Sequence, residues 1–566
     1  MRFPYQKPMA LFLGLSIVCL SGCAAADKTS AVFTQAAQTE QVSQTAETVT
    51  AADGVKLTFS DAAVSGSGAG VEIDGTHVSI SKAGTYVLSG SCADGSVTVK
   101  KGTTGVTLVL DDLSLTASDR GAIACNKGTQ VTIQVKGTCA LGDGEQNNDE
   151  NYPDNQNAEN AVIKCKDGSQ VLLCGTGSLT VTAKGKNGIK SGADSEDGEA
   201  SLTIQDLTLT VDAPVNDAIN AEALLDIPSG SLTVNAGDDA IHSDLTLNIG
   251  AEGKEGPAID IQSCCEGLEG ACVNIYSGDI TIRSTDDCIN AADPDLKDVT
   301  FAVNIIGGKI DAYTSGGDGF DSNGDLTISG GIVSVWTANA ADNQPLDADG
   351  TVTVSGGTVL AAGGSSGMGL SLQADQPCLI FGGSRGMGQG SSLATADSAF
   401  AITDASGSTL YEGTAQCNAS YLFFSSDRLT EGESCTLASG DSQTGAEVQT
   451  GAVTSGMGGF GGGHGGMGRP MGTGGILTEK DRTLTERLPR RAILLTERWT
   501  AASSPRIRNE TALFLLAPAG QPDPLPVHRL RSPGAGQYPD SRHSENRQGG
   551  LHPLSGGRDQ LYDRYR

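Results

Sequence analysis

The chain has 566 residues, 77 of them glycine, with 38% apolar and only 4% aromatic residues; that is too little bulky apolar side chain for the thick core of a large α/β enzyme. Its formal net charge of −30 argues against a nucleic-acid partner and towards cations or other non-anionic partners. At the N-terminus, Arg2 and Lys7 precede the apolar run Met9–Leu20, which is too short to span a bilayer, and Leu20–Cys23 reads LSGC. Residues 1–23 therefore read as a secretory signal. The small residues before Cys23 resemble a bacterial lipobox, which implies lipidation of Cys23 and a membrane anchor on the extracellular face. Residues 24–53 are rich in Ala, Thr, Gln and Ser, and read as a flexible tether.

From Val55 to Leu115 apolar and polar residues alternate strictly in Val78–Ile80, Val97–Val99 and Val106–Leu110, broken by Asp-Gly and Gly pairs. This pattern predicts short β-strands and no helix. A phrase then recurs: NGIKS at Asn187–Ser191, DAINA at Asp217–Ala221, DAIHS at Asp239–Ser243, DCINA at Asp287–Ala291, DGFDS at Asp318–Ser322 and QPLDA at Gln344–Ala348. Earlier and degenerate forms centre on Ile123, Ile163 and Leu268. Steps between the apolar centres vary from 21 to 40 residues, so one corner of each repeat is held while its turns change. The 40-residue step carries the polar insertion of residues 142–160, expected as a loop standing off the body.

Two or three strand-like bursts lie between phrases, with Gly-Gly or Ser-Gly bends. That pattern predicts a coil with three faces, stacked as an all-β, single-stranded parallel β-helix (solenoid) of roughly ten coils, in which each coil's apolar row is covered by the coils beside it. Right-handed winding is the default for parallel crossovers. The coils are assigned to residues 54–363, a small β cap to 364–455 and a glycine-rich linker to 456–475. Residues 476–566 hold 14 of the 20 arginines but only one of the 17 lysines, and no repeat continues there. They read either as a basic tail for acidic wall polymers or, as the abrupt change of composition favours, as disordered or out-of-frame sequence. Cys125 and Cys165 occupy the same place in successive repeats, which suits either a disulfide or simple packing.

Stacking turns the phrase into chemistry. Equivalent residues two places before the apolar centre and one place after it become polar columns, flanked by further carboxylates. Carboxylates one coil apart repel by about 1 kcal/mol in water and about 3–4 kcal/mol at an effective dielectric of about 20. Bound calcium answers this, since it accepts about six to eight oxygens in loose geometry. The expected metal ligands are Asp217, Asp238, Asp239, Asp244, Asp286, Asp287, Asp293, Asp318, Asp321 and Asp325. His242 reads as a turn residue. Arg283, on a strand just ahead of Asp286 and Asp287, is the candidate base should the protein be a calcium-dependent polysaccharide lyase. Tyr276, Tyr313 and Trp336 are the candidate sugar platforms.

The set DAINA, DAIHSD, STDDCINAAD, GGDGFDSNGDLTISGG and PLDADGTVTVSGGTV, behind a lipobox, resembles the clostridial carbohydrate-binding lipoproteins. The resemblance implies a right-handed, pectate-lyase-like β-helix with bound calcium, and a cellulose- or polygalacturonate-like polysaccharide as partner. It implies binding without cleavage; scarce aromatics favour an acidic glycan bridged by calcium over a flat crystalline one. The expected product is a monomeric, surface-anchored binding protein, with a pectate-type lyase or a structural adhesin as alternatives.

Overall fold

A computed structural model describes residues 54–292, 296, 299–338, 343–364, 370–382 and 392–455. Every described residue lies in the unit of residues 1–495. The expected signal with Cys23, the tether, the glycine-rich linker and the tail lie outside the described residues, as does Asp293.

The described residues are all-β, without a helix. Most strands belong to one large sheet of mostly parallel pairs. Its logic is ring-like. Strand Ala161–Cys165 pairs with Asn187–Ser191, Gln170–Gly175 with Ser201–Gln205, and Ser178–Thr182 with Thr208–Ala213, so each strand meets the one a full circuit later. Three rows of strands result, an arrangement consistent with a solenoid.

Side chains alternate in and out along each strand, and in-register pairing stacks the inward ones. The first row contributes Ile163, Ile189, Ile219, Ile241, Leu268, Ile289, Phe320 and Leu346, all buried. The apolar centres of the phrases are thus one continuous column, although their spacing in sequence is irregular. In the second row the outward side chains Asp226, Asn248, Asn274 and Asn304 form a hydrogen-bonded ladder: each Asn Nδ2 donates to the side-chain oxygen of the previous circuit at 2.7, 2.9 and 2.9 Å. The bend between the second and third rows is a stack of glycines. Gly308, Gly331 and Gly357 have φ of 87°, 86° and 80°, and a Cβ on Gly331 would lie 2.7 Å from the Gly308 carbonyl oxygen. Only glycine allows both that φ and that approach.

Parallel pairing gives way to antiparallel pairing beyond Gly363. Tyr421–Ser425 runs antiparallel to both Thr358–Gly363 and Leu370–Gly382, and a four-stranded antiparallel sheet is built from Ala399–Thr403, Thr409–Thr414, Ser434–Ser439 and Ser442–Glu447. A second apolar cluster forms there around Trp336, Phe381, Phe400 and Phe424. Strands laid across the last circuit occupy backbone groups that would otherwise be an open edge.

The polar insertion departs from expectation. It is tied down rather than standing off, because two of its own residues, Asn147 and Asn148, are buried. Asn147 Nδ2 donates to Asp143 Oδ2 (2.8 Å) and to the Ala161 carbonyl (2.9 Å), while its Oδ1 accepts the amides of Glu159 (2.6 Å) and Asn160 (3.1 Å). A residue with four such bonds organises a segment that has no apolar periodicity to do so. Cys125 and Cys165 are paired in register, and both are buried free thiols. Asn147→Ala is expected to lower the unfolding free energy by about 3 kcal/mol, since buried partners are stranded at both ends. Urea denaturation measures this, and limited proteolysis should then cut within residues 144–160.

Candidate functional site

The phrase row carries two outward polar columns. Two places before the apolar centre stand Asn187, Asp217, Asp239, Glu266, Asp287 and Asp318, and one place after it stand Lys190, Asn220, His242, Glu269, Asn290 and Asp321. Sequence reasoning missed Glu266 and Glu269. Both sit at the two offsets from Leu268 in the degenerate phrase EGLEG, and treating that phrase as an equal repeat would have found them.

Among the described residues, three groups bring their ligand atoms within 4.8 Å of one another: Asp217, Asp239 and His242; Asp239, Glu266 and Glu269; and Asp318, Asp321 and Asp347. Asp217, Asp239, Glu266 and Glu269 are all buried. Burial is the main force raising the carboxyls of Asp217, Asp239 and Glu266, and neighbouring carboxylates add to it. The same two causes, burial first, push Asp287 up to about 8, Asp318 to about 7 and Asp321 to about 6. In both columns, burial and neighbouring carboxylates therefore oppose ionisation.

His242 is where part of that charge is met. It lies on the strand Ile241–Ile249, not in a turn. Its Nδ1 is 3.1 Å from Asp239 and 2.8 Å from Glu269, and its Nε2 is 3.0 Å from Asp244. Burial works against a charged ring, but its hydrogen bonds to three carboxylates outweigh it and push His242 well above the ordinary histidine range. The imidazolium acts as an internal cation for its circuit.

Elsewhere the columns offer acceptors without donors. Asn220 Nδ2 donates to Asp217 Oδ2 at 2.8 Å and Asn290 Nδ2 to Glu266 Oε2 at 2.8 Å, yet the Oδ1 of each asparagine is buried with no hydrogen-bond partner. Asn220 and Asn290 are 6% and 8% exposed. A buried amide oxygen among carboxylates lacks any donor to satisfy it, and a cation is the group that would. The donor set is entirely oxygen at Asp287, Asn290, Asp318, Asp321 and Asp347, which fits a hard cation such as calcium.

The other expected residues fall elsewhere. Asp238 is half-buried beside Asp239, and Asp286 is exposed. Asp325 is exposed and its Oδ1 caps a turn by accepting the Thr351 amide at 2.8 Å, so it stands outside the three groups. Arg283 lies on the third row, with Nη1 donating to the carbonyls of Ile282 (2.8 Å) and Asp311 (3.0 Å) and Nη2 to the Asp311 carboxylate (2.9 Å). It ties adjacent strands. Trp336 is corrected as a sugar platform: it is 1% exposed, with its ring edge-on to Phe400 at 5.6 Å under the antiparallel strands. Tyr313 packs against the same cluster, and Tyr276 is half-buried at the bend between second and third rows. None of these aromatics lies on the phrase row.

A family model described as "Carbohydrate-binding domain-containing protein" matches residues 74–367, just over half of the chain and the whole of both polar columns. The chain belongs to this family. Carbohydrate binding is thereby supported in general terms. A solved structure titled "Structure of the polysaccharide lyase-like protein from C. thermocellum, Gadolinium derivative" is similar at 22% identity, over 54% of this chain and 93% of that one, with a TM-score of 0.28. No curated protein matches the chain.

Within the family frame, His242 is the residue whose loss should be felt most in stability. His242→Leu leaves Asp239 and Glu269 buried without their cation and is expected to cost about 3–5 kcal/mol at neutral pH. Urea unfolding checks it, and adding Glu269→Gln to the variant should recover part of the loss.

Proposed function

We propose that the protein is a surface-anchored carbohydrate-binding lipoprotein whose acidic columns hold calcium, and that the bound ions bridge to an acidic polysaccharide of the polygalacturonate type. The observation that carries the calcium reading is the buried, partnerless amide oxygen of Asn290, in register with Asp321 and on the same phrase as the raised carboxyl of Asp287. Asp318, Asp321 and Asp347 would be the principal ligands, with Asp287 and Asn290 on the circuit before. The imidazolium of His242 makes its own circuit a poorer calcium site, because a cation is already provided there. Calcium with coordination left open would take uronate carboxylates; half-buried tyrosines and a buried Trp336 leave little aromatic surface for a flat neutral glycan.

The winding belongs to the same proposal: a right-handed parallel β-helix of roughly ten circuits, holding the columns about 4.8 Å apart per step. So does the location. Lipidated at Cys23 and tethered by residues 24–53, the domain would stand off the membrane as a monomer.

Calcium added to chelated protein is expected to raise the melting temperature, by the equivalent of about 2.7 kcal/mol at about a hundred times the dissociation constant. The double variant Asp318→Asn, Asp321→Asn should lose that shift, and an unchanged shift would remove these residues from the site. On a glycan array, retention of polygalacturonate with calcium and its decline in chelator is the expected outcome; equal retention in both conditions would refute the calcium bridge. In the native host, Cys23→Ser should move the protein from the membrane fraction to the soluble one, as fractionation and immunoblotting would show.

A further inference from the structure

The column after the apolar centre does not keep one sign along its length. Past Ala124 it carries Lys164 and Lys190, then Asn220 and His242, and from Glu269 onward its charged members, Glu269 and Asp321, are acidic, with Asn290 between them. Lys164 and Lys190 are registered partners on neighbouring parallel strands, a placement that sets two like charges side by side and costs stability. Ile163 and Cys165 on either side of Lys164 are buried in the core, so Lys164 points outward on the same face as the acidic columns.

The surrounding lysines each find a carboxylate: Lys166 contacts Glu159 at 2.9 Å, Lys186 contacts Glu150 at 2.5 Å and Lys190 contacts Glu222 at 3.3 Å. The side chain of Lys164, though half-buried, has no hydrogen bond or ion pair among the described residues. Burial, and after it the charge of Lys190, draws its ammonium below the usual lysine range. Glu222, the partner of Lys190, and Glu159, the partner of Lys166, act on it favourably but only from beyond ion-pair distance. An anion arriving from outside would relieve both the burial of an unpaired charge and its repulsion from Lys190.

We propose that Lys164 and Lys190 form a cationic subsite that takes an oxyanion of an acidic polysaccharide directly, without a metal ion. The inference rests on the glycan-binding reading above and deepens it: one face would grip an anionic chain by ammonium groups at one end and by metal ions at the other. Uronate carboxylates and sulfate esters share the chemistry that such a subsite recognises.

The test uses the full-length protein in chelator at low salt, with binding followed by affinity electrophoresis and isothermal titration. The probes are polygalacturonate, fully methyl-esterified pectin and a sulfated galactan. The wild type should bind polygalacturonate or the sulfated galactan, the two arms telling carboxylate from sulfate, and should not bind the ester. Lys164→Gln should weaken that binding about tenfold, with Lys164→Arg retaining it and both melting temperatures close to wild type. Binding unaltered by Lys164→Gln overturns the subsite. A wild type that holds neither polyanion in chelator, and polygalacturonate only when calcium is added, overturns it too, while leaving the calcium bridge standing. A wild type that holds no polysaccharide in either condition overturns both.

Discussion

Everything in this molecule follows from pairing strands in parallel and in register with the strand one circuit on. Any residue type that recurs in the phrase is thereby stacked on itself at one strand spacing. For Ile163 through Leu346 the consequence is favourable, since each apolar side chain is covered by its own equivalents above and below. For the acidic positions on the same strands it is unfavourable, because carboxylates at that spacing repel and several are buried. One geometric rule creates the core and the electrostatic problem together.

The outward columns meet that problem in different ways along their length. In the second row, Asn248, Asn274 and Asn304 hand hydrogen bonds from circuit to circuit and end on Asp226, so amides that both donate and accept need no ion. On the phrase row, His242 supplies a cation by holding a proton between Asp239, Asp244 and Glu269. At Asp287, Asp318, Asp321 and Asp347 no imidazolium and no amide ladder is present, and the carboxyls of Asp287, Asp318 and Asp321 rise, as those of Asp217, Asp239 and Glu266 do. The side chain that answers the repulsion thus changes from an amide to an imidazolium and then to none, and the last case is where an external cation has most to gain.

Much of this was legible in the chain itself. The phrase is short and its apolar centre is nearly invariant, so the first row could be read directly. The steps of 21 to 40 residues hid nothing, since variation fell in turns. The degenerate EGLEG was harder: Glu replaces Asp, and without register there was no reason to rank Glu266 and Glu269 with the others. His242 was misjudged for a related reason, because its partner Glu269 belongs to the next circuit and is remote in sequence. The clamp of residues 144–160 was invisible because it is made by buried asparagines, which in a sequence look like any polar loop. The burial of Trp336 depends on strands some 60 to 90 residues downstream, at Phe400 and Phe424, and no local pattern announces it.

The change of sign along the phrase row follows from the same register. A charge placed on a wound sheet is never a local decision, because its nearest neighbours are the equivalent residues of adjacent circuits rather than residues adjacent in sequence. Lys164 and Lys190 beside one another are therefore as much a product of stacking as the aspartates are. Had the lysines alternated with the acids along the column, each would have neutralised its neighbours and the face would be inert. Segregated instead, with Asn220 and His242 between the basic and the acidic stretches, Lys164 at one end and the carboxylates at the other lack partners of opposite sign within the column. A polyanion lying along this face would meet ammonium groups first and acceptor clusters later, and only the second stretch would require metal to hold it. That order gives the face a direction, which a uniform ladder of aspartates could not have.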